Sequence, residues 1–567
     1  MTNDKAPLRR LILGIAMSAL LFLVPLILTS TSPMAFAQDV DIDFDKLESR
    51  GLYNKKQEGS LGHDFWKNTP RSALIKLIET LPANSQNPSI RKLILGTLLT
   101  RADSKKIKND IEPEAGHDLL TLRLNKLLEG GYYAQAHALY TQSESAPYHE
   151  NLAKAGILSF LFTGQKALAC LETNTFHGDF IESDFIQKAY AYCELSLSGT
   201  RESTPNTPKK RNKDDVLLSM SQDKAFTFAY TAGTFKKLTA LEQAFLISEG
   251  KIKTRALRPA DVKNIPIAHL PFLLASDDLK EDTRFHTTLK ALQWGLSSSK
   301  DLEDLYNSVA QKKNKGTGDS PSPNNWRALA DHLNAANKAT HGQEKWDAVR
   351  KSFPFAQTYG IQALRPFTNI IAESEPEITS IDEISLIYSL LILSDQAIPT
   401  YWLKIIEHIL EKEYKKSDKD RLENLLSTAY ISGLKPTKGL KNHEERLALW
   451  YRNSCNSRNA QKNIIENLDK PASNVDNHLR IYENDFDLTC SNSYVMPTTH
   501  VWDRLIQASQ ERNIGEIILL SIKVLHEIPP KDMYPRLFQD VLKILNHVGL
   551  TDISEGLAVE AILGNIK

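Results

Sequence analysis

Four cysteines, Cys170, Cys193, Cys455 and Cys490, have a chemistry set by where the protein lives. In a reducing compartment they stay thiols, and in an oxidising one they can form disulfides. Four cysteines permit three pairings. In an antiparallel helical hairpin, residues face each other when they are equidistant from the turn. The midpoint of Cys170 and Cys193 falls inside the turn-like Gly178–Asp184, and that of Cys455 and Cys490 inside Pro471–Asn474. The spacing therefore predicts Cys170–Cys193 and Cys455–Cys490, with four buried thiols as the alternative. C-x-x-C spacing is absent, which argues against a redox motif or a zinc site.

The remaining candidates for chemistry are scattered. The chain has 15 histidines, none paired at i, i+4 on a convincing helix. His117 and His137 flank one hairpin and could meet there; separate surface or core histidines are the plainer reading. Glu112-Pro-Glu114 and Glu373-Ser-Glu375-Pro-Glu377 could hold a cation or an acid/base pair, although solvated loops are their default. Gly316 and Gly318 sit in a polar stretch with no preceding strand, so they make no phosphate-binding loop. His526-Glu527 runs into Pro529-Pro530 and cannot continue as H-E-x-x-H, and there is no G-x-S-x-G elbow. No catalytic, cofactor-binding or metal-ligating residue is assigned, and no cofactor is expected. Lys and Arg number 69 against 69 for Asp and Glu, without the basic footprint of a nucleic-acid binder.

The elements that would position any site read as helices. Leu120, Leu124, Leu127 and Leu128 recur on one helical face, and Gly130-Gly131 ends it. Thr69 suits an N-cap and Pro70 the first helical position of a helix carrying Leu74, Leu77, Ile78 and Leu81, and a second helix spans about 88–101. Phe65 and Trp66 are expected to pack on that pair. Helical periodicity resumes over Leu217–Ala232, Leu238–Glu249, Thr283–Leu296, Leu302–Gln311, Trp326–Ala339, Ile384–Asp395 and Tyr401–Tyr414. Further candidates are Arg421–Ser432, Glu444–Asn453, Val501–Arg512, Gly515–Glu527, Tyr534–Val548 and Asp552–Leu563. Short loops carrying Gly or Pro join most of them, as antiparallel helical neighbours require. The expected class is all-α, with helical hairpins stacked as a superhelix in two or three sections.

Composition divides the chain. Residues 1–37 read as an export signal: Lys5, Arg9 and Arg10 precede an apolar run over Leu11–Leu28, and Ala35-Phe-Ala37 is an A-x-A cleavage site that would leave Gln38 first. The alternative is an uncleaved inner-membrane anchor, since the run reaches the lower limit for a span. Residues 38–115 form a polar lead-in and a helix pair, 116–199 helical hairpins, 215–311 a helical section and 325–567 a C-terminal helical section. Between them, 200–214 and 312–324 are rich in Pro, Ser, Asn, Gly and Lys, and both read as flexible loops that bury too little apolar surface to order themselves. Lys209, Lys210, Arg211 and Lys213 make a basic knot in the first.

The stretch from Gly131 to Tyr140, with Tyr133 and Ala136, resembles the second helix of a tetratricopeptide (TPR) unit, and Pro147 follows where such a unit carries its proline. Ala169 occupies the next hairpin at the place of Ala136. Gly131, Gly164, Gly199 and Gly233 are spaced by about 34 residues, the TPR period. The resemblance implies that Ala136 and Ala169 are the small residues at helix crossings, with Gln135 facing solvent, and that the fold holds partner proteins in a concave groove. The first-helix Trp and the Leu-Gly pair of a TPR unit are missing. More broadly, the leader, Leu61-Gly62-x-Asp64-x-Trp66, the cysteines on adjacent helices and the closing Gly-Leu hairpin resemble an uncharacterised family of exported helical proteins from alphaproteobacteria, which implies architecture and location only. The expectation is a periplasmic helical-repeat protein that binds or scaffolds envelope proteins of unknown identity, contacting the membrane only if the leader stays attached. The alternative is a cell-wall-active enzyme or accessory, like the soluble lytic transglycosylases with their helical superhelix; the catalytic Glu context of that family is absent here.

Overall fold

The computed structural model describes residues 42–54, 57, 59–142, 149–198, 216–313, 325–375, 380–394, 399–410, 497–528 and 533–564. Ala35, Ala37, Gln38, the pair Cys455 and Cys490, the loop 200–214 and most of 312–324 lie outside these residues, as do the expected helices Arg421–Ser432 and Glu444–Asn453. The fold is all-α, and the described helices all belong to one compact unit, Asp43–Lys567.

α1, α3, α4 and α6 each begin on an N-cap side chain that accepts one of their free backbone N–H groups. The polar lead-in contains a short helix, α1 (Phe44–Glu48), which buries Leu47 and Glu48. α2 (Arg71–Glu79) starts one residue later than expected, with Pro70 as N-cap. α3 (Pro88–Leu99) is capped by Asn87 and carries Pro88 in its first turn. α4 (Leu119–Glu129) is capped by Asp118, and α6 (Glu150–Phe162) by His149. α5 (Tyr133–Thr141) and α7 (Lys166–Phe176) complete two hairpins, and α8 (Asp184–Ser198) follows α7.

One turn recurs. After α4 the chain enters the left-handed region at Gly131 (φ 79°), passes Tyr132 and restarts as helix at Tyr133. The Gly131 N–H bonds to the Leu128 carbonyl at 3.2 Å and the Tyr132 N–H to the Leu127 carbonyl at 2.9 Å, which closes the helix C-terminus. Gly164 repeats this between α6 and α7. Near the C-terminus, Arg512 does the same between α21 (Thr499–Glu511) and α22 (Ile514–Glu527), and Gly549 between α23 (Pro535–His547) and α24 (Thr551–Gly564). Gly233 does not continue the series; it lies inside α10 (Ala232–Phe235).

The middle of the chain departs from the sequence reading in two places. The helix expected over Leu217–Ala232 stops early: α9 is Val216–Gln222, and Phe228–Ala229 instead pairs in parallel with Ile252–Lys253. There, alternation of inward aromatics serves a strand. α11 (Ala240–Ser248) opens on a Thr239/Glu242 capping box. α12 (Leu270–Leu274), α13 (Glu281–Gln293) and α14 (Ser299–Lys313) follow. α14 runs through Lys312 and Lys313, so these two residues are helical where a loop over 312–324 was expected. A core of Phe285, Tyr306, Trp326, Trp346 and Trp402 joins these to α15 (Arg327–Lys338), α16 (Gly342–Arg350), α17 (Phe355–Tyr359), α18 (Thr368–Glu373), α19 (Ile381–Leu393) and α20 (Thr400–Leu410).

Neighbouring hairpins pack in sequence order from α4 to α7, and α6 also packs on α11. The C-terminal hairpins pack back on the start of the unit: α22 lies against α2 and α3, and α24 against α3. A methyl group at Gly515 of α22 would fall 2.7 Å from the Trp66 ring, so only glycine allows that approach. Trp66 is fully buried there, between the N-terminal helix pair and the C-terminal section.

Candidate functional site

The most chemically loaded place among the described residues is a buried polar node beneath α4. Glu48 of α1, Arg71 of α2, and Asp118, Arg123 and His149 around α4 and α6 are all buried. Arg71 Nη1 donates to Glu48 Oε1 at 2.7 Å, and the Leu119 N–H donates to the same oxygen at 3.1 Å. Arg123 donates to three carbonyls: Leu98 at 2.7 Å, Glu48 at 3.2 Å and Arg50 at 2.7 Å. A planar guanidinium with fixed donors suits this, because it can satisfy several diverging acceptors at once. Burial pushes the Arg123 guanidinium down to about 10, opposed by the charges of Glu48 and Asp118. Burial also holds the Glu48 carboxyl above its ordinary value, although Arg71 pulls the other way.

The second half of the node joins two helix N-termini. Asp118 Oδ1 accepts the Thr121 N–H at 2.9 Å, and His149 Nε2 faces Asp118 Oδ2 at 3.0 Å. His149 Nδ1 accepts the Leu152 N–H at 3.2 Å, which places the ring proton on Nε2. Burial alone would raise the Asp118 carboxyl; His149 and the Thr121 N–H outweigh it and hold it below its usual range. An Asp–His pair is the start of a catalytic triad, but a general base needs one free ring nitrogen aimed at a proton. Here Nδ1 of His149 takes the Leu152 N–H, and Nε2 is buried facing Asp118 Oδ2. The node fixes α1, α2, α4 and α6 to one another.

The other unusual place is an apolar face on α7 and α8. Five large apolar side chains are exposed among the described residues, and four of them, Leu168, Leu171 (63%), Ile181 (70%) and Leu195, fall in this hairpin. Cys170 and Cys193 join its two helices, with Cα atoms 5.5 Å apart, and turn inward while the leucines turn out. Beside Leu195 opens a groove of about 330 Å³ between α8, α9 and the start of α11, lined by Tyr192, Leu217, Leu218 and Leu241.

The other sequence candidates separate. Ala136 and Ala169 are buried, and Gly156 of α6 lies so close to α5 that a methyl group there would sit 2.1 Å from the Tyr140 ring. Gln135 is half-buried, whereas its neighbour Ala134 is exposed. His117 lies beside Glu114 at 3.6 Å, and His137 beside Gln165 at 3.0 Å, so the two histidines find different partners. Glu112 and Glu114 are exposed; Glu373 is 4.0 Å from Lys345; Glu377 lies outside the described residues. Among the described residues no group of three or more His, Cys, Asp or Glu is placed to hold a metal ion. Sequence reading missed Glu48, Asp118 and His149; only the position of Asp118, just before an apolar helical run, marked it as a cap. No protein-family description, curated protein or solved structure matches the chain.

Proposed function

We propose that the protein is an exported helical-repeat protein of the bacterial cell envelope, which binds or scaffolds another envelope protein through the apolar face of α7 and α8. The observation behind this reading is the gathering of Leu168, Leu171, Ile181 and Leu195 on one disulfide-closed hairpin, when Ile111 is the one other large apolar side chain exposed among the described residues. A contiguous exposed apolar face rimmed by polar residues is what a docking surface offers. Leu168 and Leu171 stand one helical turn apart, so the matching partner is an amphipathic helix presenting its own i, i+3 or i+4 apolar stripe. The TPR-like turn and spacing of α4 to α7 support the same reading, because stacked helical hairpins present such surfaces. The leader over Lys5–Ala37 supports a periplasmic location, with Gln38 first after cleavage.

The test compares the wild-type protein with Leu168→Asp/Leu171→Asp, both purified from cross-linked envelopes under identical conditions. Both positions are exposed, so the double variant should keep the wild-type melting temperature. The reading expects one reproducible protein partner, cross-linked at α7 and lost in the variant. Retention of the same partner by the variant overturns it, as does binding to pure lipid vesicles in place of a protein.

A further inference from the structure

The end of the chain is fastened to its beginning through one carboxyl group. Glu560 on α24 reaches the N-terminus of α3. Its Oε1 accepts the Ser89 N–H at 2.9 Å and the Ser89 hydroxyl at 2.8 Å. Asn87 caps the next free N–H, that of Ile90, at 2.9 Å, so two of the orphan donors that open α3 are satisfied, one from a residue 471 positions away. The contact is close. Gly556, one turn before Glu560, leaves no room for a methyl group, which would lie 2.3 Å from the Ser89 hydroxyl. The second oxygen of Glu560, Oε2, is buried without a hydrogen bond among the described residues. The Asn87 side chain and the Arg91 guanidinium, both on the α3 side, are the other groups acting on the carboxyl. Arg91 is itself engaged with the carbonyls of Ser85 and Gln293, each at 3.0 Å. Glu560 as a residue is only partly buried, but Oε2 is shut off from water without a partner, and a carboxylate with such an oxygen is expensive to keep ionised.

We propose that the α24–α3 seam is a pH-sensitive latch: with the Glu560 carboxyl protonated the C-terminal hairpin stays seated on the N-terminal helix pair, and loss of that proton loosens it. Burial first, opposed by Ser89, Asn87 and Arg91, pushes the carboxyl up to about 7 from an ordinary 4.5. A carboxyl raised in the closed state contributes fully below its open-state value and loses that contribution as pH rises through its closed-state value. The seam therefore weakens from about pH 4.5 to about pH 7 and stays weak above.

Hydrogen exchange of the full-length protein, corrected for intrinsic rates, reads the opening directly. In the wild type, protection of α24 and of the first turn of α3 should fall at least about ten-fold between about pH 4.5 and about pH 7.5. Glu560→Gln keeps the shape and removes the titration, so its protection should be flat across that range. Ser89→Ala removes a donor to the carboxylate and should move the wild-type midpoint upward, which keeps the idea testable should the Gln variant fold poorly. Flat wild-type protection, a Gln variant that tracks the wild type, or an unmoved midpoint in Ser89→Ala each overturns the latch.

Discussion

The α4/α5 hairpin and the α21/α22 hairpin make the same turn, a left-handed residue, one further residue and then helix, yet they are anchored differently. Beneath α4 lies the polar node, in which Arg123 alone satisfies three carbonyls from α1, α3 and the segment after α1. Beneath α22 lies the Trp66 ring against Gly515, and the chief ion pair, Arg504 with Glu516, stays inside the hairpin, its second bond from Nη2 to Oε2 at 2.7 Å. A turn is specified by the residues that make it. Its seat is specified by residues far away, and here one seat is polar while the other is apolar.

Removing each arginine gives the widest contrast. Arg123→Ala leaves the carbonyls of Leu98, Glu48 and Arg50 without their common donor, and should cost about 3–5 kcal/mol. Arg504→Ala removes a partly exposed partner and leaves Glu516 with Asn513, and should cost about 1.5–3 kcal/mol. Urea unfolding of the full-length variants measures both. Equal losses would mean that the node does not anchor the first hairpins.

Packing inside the first hairpin comes next. Ala136 is fully buried, and Ala134 on the same helix is exposed. Ala136→Leu should overpack the crossing by about 1–3 kcal/mol, while Ala134→Leu, the same chemical change, should stay within about 0.5 kcal/mol. Matching midpoints for the two leucine variants would place the crossing elsewhere, at Gly156 and Tyr140.

This contrast also shows what the sequence could and could not reveal. The hairpins were readable because Gly131, Gly164 and Gly549 and the apolar periodicity around them act over a few residues. Cys170 and Cys193 were readable because two helices joined by a short turn bring equidistant residues together. Glu48 was not, since a carboxylate in a polar lead-in gains meaning only from Arg71 and the Leu119 N–H that folding brings to it. Nothing local links Glu560 to Ser89. The stretch after Gln222 misled because Phe226 and Tyr230, four residues apart, fit one face of a helix, while the backbone of Phe228 and Tyr230 donates to Lys251 and Lys253. The exposed α7 face left a fainter signal: Leu168 and Leu171 add a second apolar stripe to a helix that already buries Ala169 and Cys170.

Acid should act on the two anchors with opposite sign. The Asp118 carboxyl is held below its usual range, so its contribution is present above the ordinary value of 3.8 and is lost as pH falls through its folded value. Glu560, raised, contributes most in acid. On lowering the pH from about 7 to about 4.5, exchange protection in α24 should rise, and α4, where the Glu48 carboxyl is also raised, should not fall; further acidification should lower protection at α4 and the start of α6. Asp118→Asn should abolish the second change and spare the first. If α4 and α24 lose protection together at every pH, the two hairpins share one anchor and the distinction falls.

The smallest effect lies in the turn itself. Arg512 sits at φ 57° and ψ 38°, the left-handed region that Gly131 and Gly164 occupy in the equivalent turns. An L-residue with a β-carbon is strained there by about 1–2 kcal/mol, and glycine is not. Part of that difference is offset because glycine makes the unfolded chain more flexible. The Arg512 side chain is exposed, so little packing is lost with it. Arg512→Gly should therefore stabilise the protein by about 0.5–1 kcal/mol, and Gly131→Ala should destabilise it by more than that, because a methyl group at Gly131 would also lie 3.2 Å from the Ala268 Cα. Thermal unfolding of the two variants beside the wild type decides it. A destabilised Arg512→Gly would show that the guanidinium holds the C-terminal turn through contacts of its own, and the two turns would then be alike in shape but not in what maintains them.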